Sequence, residues 1–248
     1  MKWAVVVFPG SNCDRDAYRA VAEVLGDEAI YVRHDATSLA GADAVILPGG
    51  FSYGDYLRPG ALARFAPVME AVRGFAAAGG PVIGICNGFQ ILCEAGLLPG
   101  VLVRNAGQRF RCQPVYLRVE NPHTPFTRRF QRGQVIRMPI AHGEGNYLAP
   151  RHVLDELERE GRIVFRYCDP SGQATEAANP NGSARNIAGI TNARGNVVGL
   201  MPHPERAVEP YMTSTDGLAV FAAVRDWLGA GFSSPAAEDS ATGGARRA

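Results

Sequence analysis

Pro81-Val-Ile-Gly-Ile-Cys-Asn-Gly-Phe-Gln90 decides how this chain reads. A short apolar strand over residues 81–85 runs into a cysteine with a glycine two residues away on each side. A helical pattern carrying Phe89, Ile91, Leu92 and Leu97 follows at once. Gly84-Ile-Cys86-Asn-Gly88 thus has the layout of a nucleophile elbow, with sulfur in place of the hydroxyl. Both glycines are needed because the turn is too tight for side chains there. The free N–H groups and dipole of the helix start favour an anion at Cys86. That dipole alone is worth about 0.3–1 kcal/mol, so activating a thiol calls for an imidazole nearby.

The segments upstream set the elbow in a sheet. Residues 3–8, 29–34 and 43–47 read as continuous apolar strands, and residues 14–25 and 61–78 as amphipathic helices, with Pro67 kinking or restarting the second. Buried strands alternating with helices predict an α/β fold, a doubly wound and mostly parallel sheet covered on both faces. In such sheets the chemistry gathers at the carboxyl ends of the strands. Pro9-Gly10-Ser11, Pro48-Gly49-Gly50 and Cys86 all fall at that edge. The second half is richer in strands, at 115–119, 135–141, 163–167, 186–192 and 197–200, before a closing helix over 213–228. Residues 1–232 read as one domain. Residues 233–248, rich in Ser, Ala and Gly, read as a disordered tail.

Composition narrows the classes. The 248 residues carry a formal net charge of +1, so no global field directs the chain to nucleic acid or to an anionic membrane. No segment approaches 18 consecutive apolar residues, which argues against a membrane span. Five cysteines with no CxxC spacing suit reduced thiols in the cytoplasm and leave no zinc or disulfide pattern; no metal is expected.

Five histidines are candidates for the base. His34, His123 and His152 lie at a strand end or beside turn residues, and His142 lies between small residues. His203 is set apart by Pro202 and Pro204, which hold the chain extended around it. In extended chain, residues two apart point the same way. The Glu205 carboxylate then lies beside the imidazole and orients it, as the third member of a triad does.

Cys86, His203 and Glu205 together resemble the class I, or triad, glutamine amidotransferases, whose fold is flavodoxin-like. The shared marks are the G-x-C-x-G elbow with Gln90 beyond it, the Pro48-Gly49-Gly50 loop and the late His203-Pro-Glu205. Further segments match in order: Phe8-Pro-Gly-Ser-Asn-Cys-Asp14, Gly50-Phe-Ser-Tyr-Gly-Asp-Tyr-Leu-Arg58, Ala141-His-Gly-Glu-Gly145, Asn179-Pro-Asn-Gly-Ser183 and Met201-Pro-His-Pro-Glu-Arg206. With these the chain is similar to the glutaminase subunits of phosphoribosylformylglycinamidine synthases, which act in de novo purine biosynthesis.

The resemblance implies hydrolysis of L-glutamine through a Cys86 thioester, with His203 moving the proton and Glu205 orienting the ring. The oxyanion is expected to meet backbone N–H groups of Asn87 and of Gly49 or Gly50. Gln90 is expected to contact substrate, and Phe51, Ser52, Tyr53 and Arg58 to form a loop over the substrate or toward a partner. His142 is also expected among the substrate-binding residues; with Glu144 it is a candidate second His/Glu pair, in a strand-end loop (residues 141–145) near the site or interface. The chain has no G-x-x-x-x-G-K-[ST] loop and no second domain to consume ammonia. The resemblance accordingly implies a large synthetase subunit and a small adaptor subunit, with ATP and Mg used by the partner and no cofactor on this chain. Other triad glutaminases, a stand-alone thiol amidohydrolase and a catalytically silent scaffolding subunit are the rival readings. Cys13 follows a strand without paired glycines and is not the expected nucleophile. Cys93 reads as core.

Overall fold

A computed structural model describes residues 1–230; the stretch read as a tail, 233–248, lies outside them. The strands are β1 (Lys2–Val7), β2 (Glu28–Arg33), β3 (Ala44–Leu47), β4 (Val82–Ile85), β5 (Val101–Val103), β6 (Arg111–Val119), β7 (Val135–His142), β8 (Asn146–Leu148), β9 (Ile163–Cys168), β10 (Ile187–Thr191) and β11 (Val197–Leu200). The helices are α1 (Asp14–Arg19), α2 (Val68–Ala77), α3 (Asn87–Glu94), α4 (Arg151–Arg159) and α5 (Asp216–Gly229).

Nine strands form one sheet in the order β2-β1-β3-β4-β11-β10-β9-β6-β7. The first five pair in parallel, the order of a flavodoxin-like doubly wound sheet. The remaining pairings are antiparallel. The sequence separates the halves. β3, β4 and β11, all Val, Ile, Leu, Ala or Gly, are buried at every residue, as strands covered on both faces must be. β7 alternates between buried and half-buried positions, the period-2 pattern of a sheet packed more fully on one face.

Helices cover the parallel half. α2 starts directly after Pro67, whose fixed φ suits a helix start, and buries Val68, Met69, Val72 and Phe75. α5 sets Phe221 edge-on to Trp3 with ring centroids 6.0 Å apart. Three details differ from the sequence pattern. The helix expected over 14–25 is α1 followed by a π-helical stretch, Ala20–Val24. α4 is a helix the sequence pattern did not mark: its apolar face is only Val153, Leu154 and Leu157, and Leu157 alone is fully buried. β5 and β8 pair as a separate three-residue ribbon, too short to leave a pattern.

The order of the sheet determines the site. β3, β4 and β11 are neighbours, so their carboxyl ends bring Gly49-Gly50, Cys86 and the 201–206 segment together. The loop after β1 joins them through a bridge between Ser11 and Gly50.

Candidate active site

Cys86 sits between β4 and α3 with φ 51° and ψ −106°, a conformation that costs a non-glycine residue on the order of 1–3 kcal/mol. Hydrogen bonds on both sides hold it there. Its N–H donates to the Leu200 carbonyl at 2.8 Å, and its carbonyl accepts the N–H groups of Phe89 and Gln90 at 3.0 and 3.2 Å. Gly88 passes so close to Leu47 that a Cβ would overlap the carbonyl oxygen, which is why the position is glycine. Asn87, first residue of α3, has no acceptor for its N–H within the helix. Its side-chain oxygen accepts the Ser52 N–H at 3.0 Å, tying the 50–52 loop to the elbow.

His203 is extended, φ −105° and ψ 90°, and its N–H donates to the Pro139 carbonyl at 2.9 Å. The chain then turns in a 3₁₀ helix over Pro204–Arg206, so Glu205 reaches the ring from a turn, not from continued extension. Glu205 Oε1 lies 2.6 Å from His203 Nδ1, with both residues buried. His203 Nε2 is buried and has no hydrogen-bond partner. Burial alone would lower the His203 pKa; the Glu205 carboxylate and the sulfurs of Cys86 and Cys13 outweigh it and raise the pKa well above the ordinary value. The ring is therefore poised to hold a proton.

Cys86 and His203 line one cavity of about 220 Å³ with Gly50, Phe51, Gln90 and residues 141–144. Cys86 Sγ lies 3.7 Å from the Ala141 carbonyl. Gln90 Nε2 donates to the Glu144 carbonyl at 2.6 Å and Gln90 Oε1 accepts from Asn87 Nδ2 at 2.9 Å. His142 is buried in the far wall. Its Nδ1 lies 3.2 Å from Asn105 Oδ1 and its Nε2 3.5 Å from Asn181 Nδ2. Burial and the neighbouring His203 lower its pKa to about 4, so it is neutral near pH 7.

The other expected residues divide. Phe51 is half exposed at the cavity mouth. Ser52 is buried behind the loop, bonded to Asn87. The Tyr53 hydroxyl lies 3.0 Å from His34 Nδ1, behind the cavity wall. Arg58 makes a two-pronged ion pair with Glu94, away from the cavity lining. Glu144 lines the cavity beside Asp55; burial and the Glu144 charge raise the Asp55 pKa to about 6, against a hydrogen bond from Asn87. Cys93 bonds weakly to the Pro99 carbonyl, and burial pushes its thiol pKa up.

Sequence reasoning missed Cys13, Asp55, Asn105, Asn181 and Arg206. Cys13, Asp55, Asn181 and Arg206 belong to quoted segments, but nothing in the spacing shows which side chains they meet. The ligand atoms of Cys13, His203 and Glu205 lie within 4.8 Å of one another, the one such group among the described residues. Glu205 Oε1 is already bonded to the imidazole, and Cys13 Sγ to the Arg206 guanidinium at 3.2 Å. That guanidinium opposes a bound cation.

A cysteine on a strained elbow, a buried imidazole with one ring nitrogen unpartnered and a buried carboxylate on the other nitrogen are the parts from which a thiol triad is built. Residues 1–228 match the family model of the CobB/CobQ-like glutamine amidotransferase domain, and the chain belongs to that glutamine amidotransferase family. It is 60% identical over 227 residues to a phosphoribosylformylglycinamidine synthase subunit PurQ of Moorella thermoacetica, covering 92% of this chain and 96% of that one. It is 59% identical to the PurQ subunit of Bradyrhizobium diazoefficiens, covering 92% and 98%. Among solved structures, a chain of the PurLQS structure from Thermotoga maritima superposes with a TM-score of 0.81 at 47% identity, covering 92% of this chain and 98% of that one.

Proposed function

We propose that this chain is the glutaminase subunit of a phosphoribosylformylglycinamidine synthase, feeding ammonia to a synthetase subunit. The observation that carries the chemistry is the unpartnered His203 Nε2 in the cavity that Cys86 lines, with Glu205 fixing the opposite nitrogen. Cys86 gives its thiol proton to His203, and the resulting thiolate attacks the side-chain amide carbon of L-glutamine. The tetrahedral oxyanion is met by the Asn87 N–H and a backbone N–H of Gly49 or Gly50. Collapse breaks the C–N bond, His203 protonates the departing ammonia, and a thioester remains. His203 then takes a proton from water, which attacks the thioester to release glutamate and return the proton to sulfur. Gln90 and the loop carrying Phe51 border the bound substrate, and the neutral His142 supports the opposite wall.

The high identity to PurQ subunits over nearly their whole length supports the identity of the acceptor. In this reading the partner synthetase uses ATP and Mg, a small adaptor subunit completes the assembly, and the complex works in the cytoplasm, which suits five free cysteines. No helix among the described residues is long and apolar enough to cross a membrane.

The test is transfer of label. The full chain, mixed with a phosphoribosylformylglycinamidine synthase large subunit and adaptor, should move ¹⁵N from the amide of glutamine into phosphoribosylformylglycinamidine. Synthesis from ammonium with no incorporation from glutamine would end the proposal.

A further inference from the structure

Cys13 has no part in the reaction described above, yet it is built into the site. It stands at the N-cap of α1, where Ser, Thr, Asp and Asn are favoured because their oxygens cap the helix. Cys13 makes no cap bond from its side chain, so capping does not explain a cysteine there. Simple filling of the core does not explain it either, because its sulfur is tied on two sides by polar groups. The thiol donates to Asn12 Oδ1 at 3.1 Å and accepts from Arg206 Nη2 at 3.2 Å. Arg206 is itself fixed by Asp16, with Nε 2.9 Å from Oδ2.

The sulfur held in this way abuts the imidazole. A Cβ on Gly49 would lie 2.9 Å from His203 Cε1 and 3.0 Å from Cys13 Sγ, so both atoms crowd the same face of Gly49. Cys13 Sγ also lies within 4.8 Å of the ligand atoms of His203 and Glu205. His203 needs such a neighbour. Glu205 pins only Nδ1, and a ring held by one hydrogen bond can still swing about it, taking Nε2 off its line to Cys86. Gly49 and Cys13 close that freedom from the Cε1 edge, where a side-chain atom tied by Asn12 and Arg206 cannot give way.

We propose that Cys13, clamped by Arg206, is a positioning residue that holds the His203 imidazole in line with Cys86. This rests on the glutaminase reading for its consequence in turnover, but the geometry can be tested without glutamine. In the complex with the synthetase, Cys13→Ala should lower kcat for glutamine hydrolysis by about 10- to 100-fold and leave KM within about twofold. Cys13→Ser, which keeps a polar atom in place, should recover most of the loss. Arg206→Met should reproduce the Cys13→Ala defect, and the double variant should fall no more than about twofold below either single one, because both remove the same support.

Independently, alkylation of Cys86 by chloroacetamide in the full chain, followed on the Cys86 peptide by mass spectrometry, should slow in Cys13→Ala and recover in Cys13→Ser. Unchanged alkylation in Cys13→Ala overturns the proposal. So does a loss that raises KM as much as it lowers kcat, or additive effects in the double variant. A wild-type complex that alkylates normally but hydrolyses no glutamine would fail the glutaminase reading and leave the positioning result standing.

Discussion

The cavity has two walls, and each buries one histidine in an opposite electrostatic setting. The wall from the parallel half of the sheet carries His203 beside the Glu205 carboxylate and two sulfurs, and its pKa is raised well above the ordinary value despite burial. The wall from the antiparallel half carries His142 between Asn105 and Asn181, and its pKa is lowered to about 4. Burial is similar in the two; what differs is the company. A carboxylate beside the ring favours the imidazolium. Neutral amides bonded to both ring nitrogens offer no charge to offset desolvation. The network also fixes the second wall: the Asn105 side-chain oxygen accepts the Gly145 N–H at 2.9 Å, and the Gly145 carbonyl accepts Asn181 Nδ2 and Ser183 Oγ at 2.8 and 3.1 Å. One region favours a charged ring beside Cys86, and the other holds shape.

This contrast can be broken from the first wall. Cys86→Ala should reduce glutamine-dependent synthesis by on the order of 10⁴-fold or more while ammonia-dependent synthesis by the same complex continues; parallel loss of both would make the cysteine structural. Glu205→Gln keeps the shape but replaces the charge that favours the imidazolium. It should cost on the order of 10³- to 10⁴-fold in kcat, read by steady-state ammonia release. Gly49→Ala places a methyl group 2.9 Å from His203 Cε1 and 3.0 Å from Cys13 Sγ. At that separation one of the two side chains must shift, and a displacement near 1 Å should cost about 10²-fold in kcat, measurable with the fold intact by circular dichroism.

How much of this was legible in the sequence follows the same division. The reacting wall was legible because each part carries a local constraint. Gly84 and Gly88 mark the elbow, Pro202 and Pro204 frame His203, and the continuous apolar runs of β3, β4 and β11 announce strands buried on both faces. That these strands are adjacent is a fact of topology. The supporting wall was not legible. Asn105 is a small polar loop residue far along the chain from Asn181 and Ser183, and the three become a network only when the loops after β5 and β7 meet the segment just before the 3₁₀ turn at 184–186. The lack of flanking glycines argues against Cys13 as a nucleophile but carries no information on what its sulfur touches in the fold. Glu205 was assigned to the ring through an extended chain, whereas a 3₁₀ turn brings it there.

The second wall gives the smallest effect and the sharpest sign. With a pKa near 4 when folded and an ordinary value of 6.5, His142 stays neutral in the native protein down to about pH 4 but takes up a proton below 6.5 once unfolded. The unfolded state therefore binds more protons throughout that window, and the contribution of His142 to stability must fall as pH drops from 6.5 toward 4. The full shift corresponds to on the order of 3 kcal/mol. His142→Gln removes the titration and retains an amide able to bond within the network, so the slope of unfolding free energy against pH should flatten between 4 and 6.5. Urea titrations at several pH values would measure it. Turnover at neutral pH should change by less than about tenfold, since the ring is already uncharged there and moves no proton. A slope that stays unchanged would mean that His142 titrates in the folded protein much as it does in water, and the contrast between the two walls would then reduce to position alone.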